Sequence, residues 1–185
     1  MTGGSDRSIK VWDISKGHAV LTFPCPATVT DLDVLPHGEI VVSAHQDGSV
    51  RFWDMRKGTV LCEMEDVHRV PISSLSLSPD GTRALTCAND NTFHLIDTSS
   101  FEDVMTVRHG GFANRNRARA TFSPDGAYWA AGSSKTGSVI VWSAQTFEEE
   151  NALLFHQQSA TIVCAWSACG LMVSGGKEGT VAVWE

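Results

Sequence analysis

The chain holds one tyrosine, six prolines and five cysteines among 185 residues, and no two cysteines stand in a Cys-x-x-Cys pair. An odd, scattered set (Cys25, Cys62, Cys87, Cys164, Cys169) argues against both a disulfide framework and a cysteine-built zinc site. No Asn-x-Ser/Thr sequon occurs, so a reducing, cytoplasmic setting is expected. No run approaches the roughly 20 apolar residues a membrane helix requires, and Met1-Thr2-Gly3-Gly4-Ser5-Asp6 has no apolar leader core. Contact with a membrane is therefore expected only indirectly. Positive charge is sparse: 14 Lys and Arg against 21 Asp and Glu leave a net charge of −7, which argues against a nucleic-acid surface. Metal-binding spacings such as His-Glu-x-x-His are missing among the seven histidines, a Gly-x-Ser-x-Gly elbow is missing too, and no cofactor is expected. Helix-period patterns are absent as well.

What the chain does have is a recurring segment, seen most fully as Val50-Arg51-Phe52-Trp53-Asp54. Altered copies are Ile9-Lys10-Val11-Trp12-Asp13, Phe93-His94-Leu95-Ile96-Asp97, Val139-Ile140-Val141-Trp142-Ser143 and Val181-Ala182-Val183-Trp184-Glu185. The Trp positions recur every 41 to 46 residues. A second landmark keeps the same phase, a small-residue turn closing on Gly38, Gly81, Gly126 or Gly170. Proline fixes φ there and glycine supplies φ above zero, so each turn joins two short antiparallel strands. Upstream of each glycine the alternation Leu32/Val34, Leu75/Leu77, Ala120/Phe122 and Cys164/Trp166 gives one face of an innermost strand.

A period of this size closed by Trp-Asp is the signature of WD40 propeller blades, and the chain resembles that family along its whole length. The expectation is an all-β, WD40-type β-propeller made of four-stranded antiparallel blades, as an incomplete arc of about five repeats. Three units are whole and two are partial, because Met1 falls within a second strand and Glu185 follows a third. The units run approximately over 1–27, 28–70, 71–112, 113–159 and 160–185, within one partial propeller spanning 1–185.

The family's blades share a buried network: a His before the first strand, a hydroxyl on the second, an Asp in the next turn and the Trp of the third. The resemblance implies that structural role for Thr2, Asp6 and Trp12; Ser43, Asp47 and Trp53; His68, Thr86 and Asp90; Trp142; and Ser174, Glu178 and Trp184. Decay is visible throughout. Cys25 stands in the second unit's His slot, Ile96 in the third unit's Trp slot, Gly132 and Thr136 in the fourth unit's polar slots, and His156 is one place off in the fifth. Ser43, His68 and Asp47 have hydrolase residue types, yet their repeat positions already account for them. Gly175-Gly176-Lys177-Glu178-Gly179 lacks the Ser or Thr of a phosphate loop and reads as a β-turn. Glu148-Glu149-Glu150 reads as a solvated connection.

One stretch departs from the pattern. Nine residues before the turn glycine, the other units place Val29, Ile72 and Thr161, whereas the fourth places Arg117. Arg108, Arg115, Arg117 and Arg119 cluster in an acidic chain, a set suited to carboxylate or phosphate. The candidate partner-binding residues are Arg115, Arg117, Arg119 and His109, with His45, Gln46, Asn89, Lys135 and Lys177 on turns of the same face. The competing reading pairs these arginines with a carboxylate of a neighbouring blade, at Asp31, Asp33 or Asp66. Protein or peptide partners, acidic ones included, are the expected class.

Within the family, the order of decayed endings resembles the autophagy-related protein sixteen group: Trp12-Asp13, Trp53-Asp54-Met55-Arg56, Ile96-Asp97, Phe122-Ser123-Pro124-Asp125-Gly126 with Trp142-Ser143, then a last Trp. Arg119 matches a basic position of that group, whereas Arg117 and Tyr128-Trp129 depart from it. The resemblance implies a non-catalytic scaffold in the complex that directs lipidation of a ubiquitin-like modifier for autophagosome formation. It would meet the conjugation complex through N-terminal regions outside this sequence. A WD40 subunit of another assembly, such as a ubiquitin-ligase substrate receptor, is the alternative.

Overall fold

A computed structural model describes residues 1–114, 118–156 and 159–185. Among them, five antiparallel meanders follow one another along the chain. The first has three strands, β1 (Thr2–Gly3), β2 (Ser8–Asp13) and β3 (His18–Pro24). The second has β4 (Val29–Val34), β5 (Ile40–His45), β6 (Val50–Asp54) and β7 (Thr59–Met64). The third has β8 (Ile72–Leu77), β9 (Arg83–Ala88), β10 (Thr92–Asp97) and β11 (Glu102–Arg108). The fourth has β12 (Ala120–Phe122), β13 (Tyr128–Gly132), β14 (Ser138–Ser143) and β15 (Glu149–Leu154); the last has β16 (Thr161–Trp166), β17 (Met172–Gly176) and β18 (Val181–Trp184). Three four-stranded sheets between two three-stranded ones make an incomplete propeller arc, with β4, β8, β12 and β16 side by side along its inner wall.

The three inner sheets each have two apolar faces covered by neighbouring sheets, and the first and last sheets each have one. Phe23, Val29, Val41 and Trp53 fill the first junction, and Val42, Phe52, Ile72 and Ile96 the second. Phe93, Phe122, Trp129 and Trp142 fill the third, and Ala130, Val139, Cys164 and Met172 the fourth. Burying such side chains contributes about 1.5–3 kcal/mol each. Ile96, in the slot of a tryptophan, is fully buried in its junction but offers Thr86 no indole N–H.

The Trp position also carries a backbone irregularity. Register shifts fall between Val11/Trp12, Phe52/Trp53, Leu95/Ile96 and Val141/Trp142. Each leaves one residue of the outer strand unpaired: Val20, Leu61, Val104 or Glu150. The first three are 47%, 45% and 50% exposed, so these apolar rim residues are the product of a repeated β-bulge.

Glycine is required where two units meet. Gly48 has φ +82, donates its amide to His45 O and accepts from His68 N at 3.1 Å. A Cβ there would collide with His68 O.

Candidate functional site

Three units carry a polar relay behind the inner wall. In the last, Trp184 Nε1 donates to Ser174 Oγ at 2.9 Å, Ser174 lies 3.1 Å from His156 Nε2, and His156 Nδ1 meets Glu178 and Thr180. His156 thus reaches its slot although its sequence position is one place off. The Glu178 carboxyl is held down at about 2, chiefly by the Thr180 hydroxyl. In the third unit, His68 Nε2 lies 2.9 Å from Thr86 Oγ1, while Nδ1 faces Thr92 at 3.0 Å and Asp90 at 3.3 Å. Burial pushes His68 down from 6.5 to about 4, with His94 beside it adding to the shift and Asp90 opposing it. At neutral pH its contact with Asp90 is therefore a hydrogen bond of a neutral ring.

The second unit rebuilds the relay with a residue read differently from the sequence. Trp53 Nε1 donates to Ser43 Oγ at 2.7 Å, Ser43 lies 2.8 Å from His45 Nε2, and His45 Nδ1 lies 3.3 Å from Ala27 O. His45 is therefore not a surface residue for a partner but is fully buried. Successive residues alternate sides along a strand, so a histidine two places from Ser43 faces the same way and supplies the imidazole that Cys25 cannot. In the first unit Trp12 Nε1 donates to Thr2 Oγ1 at 2.8 Å, and Asp6 accepts from Ser8 and Lys10. Asp47 and Asp90 likewise accept from Ser49 and Thr92.

Among the described residues, the fourth unit has no relay. Trp129 and Trp142, paired across β13 and β14, stack at 4.1 Å, and Phe93 and Phe112 pack on them. Ser133 Oγ donates to Gly111 O instead. The hydrolase residue types Ser43, His68 and Asp47 are not brought together: Ser43 bonds His45 and Trp53, while His68 bonds Thr86 and Asp90. Among the described residues, no group of three or more His, Cys, Asp or Glu is placed to hold a metal.

Of the candidate partner-binding residues, Arg115 and Arg117 lie outside the described residues. Gln46, Asn89, Lys135 and Lys177 are exposed on their turns, and Lys135 Nζ donates to Gly110 O at 2.9 Å. His109 is half-buried and pairs with Glu149 at 2.6 Å, so Glu149 is a bound carboxylate within the connection read as solvated. Arg119 is 61% exposed and reaches Asp31 across the inner wall at 3.8 Å. Of the three carboxylates weighed for that pairing, the structure selects Asp31.

The inner wall is stitched by side chains whose backbone-capping role no motif of the sequence marks. Asp31 and Asp33 on β4 accept from Leu75 N and Leu77 N at 3.0 and 3.1 Å, capping the free edge of β8. Ser74 and Ser76 on β8 do the same for β12, receiving Ala120 N and Phe122 N. Burial pushes the Asp31 carboxyl up, against the pull of Leu75 N–H and Arg119. The available signal was a polar residue at alternate inner-strand positions, about one repeat apart. Two further residues were missed. Asn114, 1% exposed, accepts from Ala118 N at 2.6 Å and donates to Ser73 Oγ at 2.7 Å and Ala88 O at 3.2 Å. Arg51, 3% exposed, pairs with Asp47 and Glu63.

Two hollows are lined in part by Arg119. The larger, about 520 Å³, is lined by Thr28, Gln46, Pro71, Ser73 and Asn89; the smaller, about 210 Å³, by Asp31, Ser74, Thr121 and Cys164. No described helix is long and apolar enough to cross a membrane.

Comparison with known proteins adds the following. The repeat described as "WD domain, G-beta repeat" matches residues 17–54 and 60–97. Protein tipD of Dictyostelium discoideum is 34% identical over the whole chain, which covers 31% of that protein. Autophagy-related protein 16 of Arabidopsis thaliana is 38% identical over 97% of the chain and 35% of its own length. Eukaryotic translation initiation factor 3 subunit I of Candida glabrata is 21% identical over 85% of the chain and 61% of its own length. The chain thus spans about a third of the first two relatives.

Proposed function

Because this chain belongs to the WD40-repeat proteins and resembles autophagy-related protein 16, we propose that it is a non-catalytic interaction module of an autophagy scaffold. Its place would be in the cytoplasm, in the complex that directs lipidation of a ubiquitin-like modifier for autophagosome formation, with membranes reached through partners. The observation that carries this reading is the 38% identity to the Arabidopsis protein over nearly the whole chain, degenerate units included. The inner face that ends in Arg119 is the surface for a protein or peptide partner, acidic ones included. The buried relays hold the frame and act on no substrate.

The test is a chimera in which the aligned segment of the Arabidopsis protein is exchanged for this chain, expressed in a plant lacking the resident gene. Restored autophagic flux is expected. A chimera that accumulates normally without flux would overturn the autophagy assignment. A second reading, a WD40 subunit of another assembly, draws on the likeness to the translation-factor subunit. Under it, the chain would co-purify stoichiometrically with initiation-factor subunits or with a ubiquitin ligase.

A further inference from the structure

We infer that Arg119 is the anchor for a carboxylate side chain of an extended acidic peptide, and that Asp31 occupies this anchor in the free protein as an internal stand-in. The inference rests on the interaction-module reading and names the partner chemistry of its inner face.

Three observations point to it. First, the guanidinium is 61% exposed yet already faces a carboxylate, which it meets through a single Nη2 contact at 3.8 Å. That contact is too long for the two parallel N–H to oxygen bonds of a well-formed arginine–carboxylate pair, so the fork remains open. Asp31 cannot close in freely, because Leu75 N and Leu32 N hold its two oxygens at 3.0 and 3.1 Å. Second, the larger hollow has a volume within the range of ligand sites. Its Thr28, Gln46 and Asn89 side chains make no hydrogen bond among the described residues, so they are free to meet the N–H and C=O groups of a passing chain. Pro71 and Ile72 give the same hollow an apolar wall. Third, Arg119 is the one cation lining either hollow among the described residues, and Asp31 stands beside it. Among the described residues, a dianionic phosphate would meet one positive charge and one negative one. A single carboxylate, which can displace Asp31 on equal terms, matches the site better.

The experiment measures binding of the whole chain to a fluorescein-labelled peptide of alternating Glu and Ser, by anisotropy at low salt. The Gln-for-Glu peptide is the control, and inorganic phosphate the competitor. The Glu peptide is expected to bind, and the Gln peptide to bind at least about tenfold more weakly. Arg119→Ala should cost about tenfold or more, and Arg119→Lys, which keeps the charge and loses the fork, part of that. Asp31→Asn keeps an oxygen for Leu75 N–H and removes the competitor, so it should tighten binding several-fold. Thermal melting of each variant checks that the fold is kept. Equal binding of the two peptides, unchanged affinity in a folded Arg119→Ala, or an Asp31→Asn variant that binds more weakly would overturn the inference. So would phosphate displacing the peptide at concentrations near those of the peptide itself. The chimera above reads flux, and its failure leaves this measurement standing, as the converse also holds.

Discussion

Ser43 Oγ stands 2.8 Å from Nε2 of His45, two residues further along the same strand, and also receives the indole N–H of Trp53 at 2.7 Å. One hydroxyl therefore satisfies two buried groups at once. Replacing Ser43 by Ala leaves both unpaired and should lower stability by about 1–3 kcal/mol in urea unfolding. The double variant with His45→Ala should cost less than the two single variants added together, since each removes a group the other needs. Strict additivity would show that the two side chains do not act as one unit.

His68 makes stability depend on acidity. Its folded value, about 4, lies below the 6.5 of the free ring, so between these values the unfolded chain binds the extra proton. Stability is fully present above pH 6.5 and is lost as pH falls toward 4, by on the order of 3 kcal/mol. His45, which burial also pushes down, adds a slope of the same sign. His68→Gln should flatten the melting-temperature profile over this window, leaving the part owed to His45 and, at its acid end, to shifted carboxylates such as Glu178 and Asp31. An unchanged profile would remove His68 from the account.

Gly48→Ala should destabilise the chain by about 2 kcal/mol or more, because φ +82 strains any residue with a side chain and the new methyl meets a backbone carbonyl that cannot yield cheaply. Gly38→Ala serves as a reference: its φ is +70, but a Cβ there meets nothing within 4 Å. It should therefore melt above Gly48→Ala.

Asn114 fastens the fourth unit to the third. Asn114→Ala strands Ala118 N and removes the donors to Ser73 and Ala88, a loss of about 2–3 kcal/mol. Asn114→Asp keeps the acceptor but sets a buried carboxylate against Ala88 O, so at neutral pH it should melt no higher than Asn114→Ala.

The strands were legible because two landmarks, the Trp position and the turn glycine, repeat in phase, and the number of residues between them leaves room for two strands and little else. Ile96 and Gly132 did not obscure this, since period and not identity carries the signal. Side-chain partners were less legible. His45 was assigned by its place near a turn, although its two-residue spacing from Ser43 already put both on one face. The choice of Asp31 over Asp33 and Asp66 for Arg119 depends on how two inner strands align across a third, which no local pattern records. Asn114 acts on residues 26 to 41 positions away, and an asparagine in a Gly-rich loop looks like any turn residue.

The unpaired residue on each outer strand bears on how these molecules coexist in a crowded solution. An extended chain that docked along β7 or β11 would match its backbone for only a few residues before Leu61 or Val104 put the ladder out of step. At that point the ladder is interrupted and the strand twists away from a straight partner. The exposed valines and leucine are thus poor seeds for fibre growth despite their apolar character, and the perimeter of the arc tolerates close neighbours without being zipped into them.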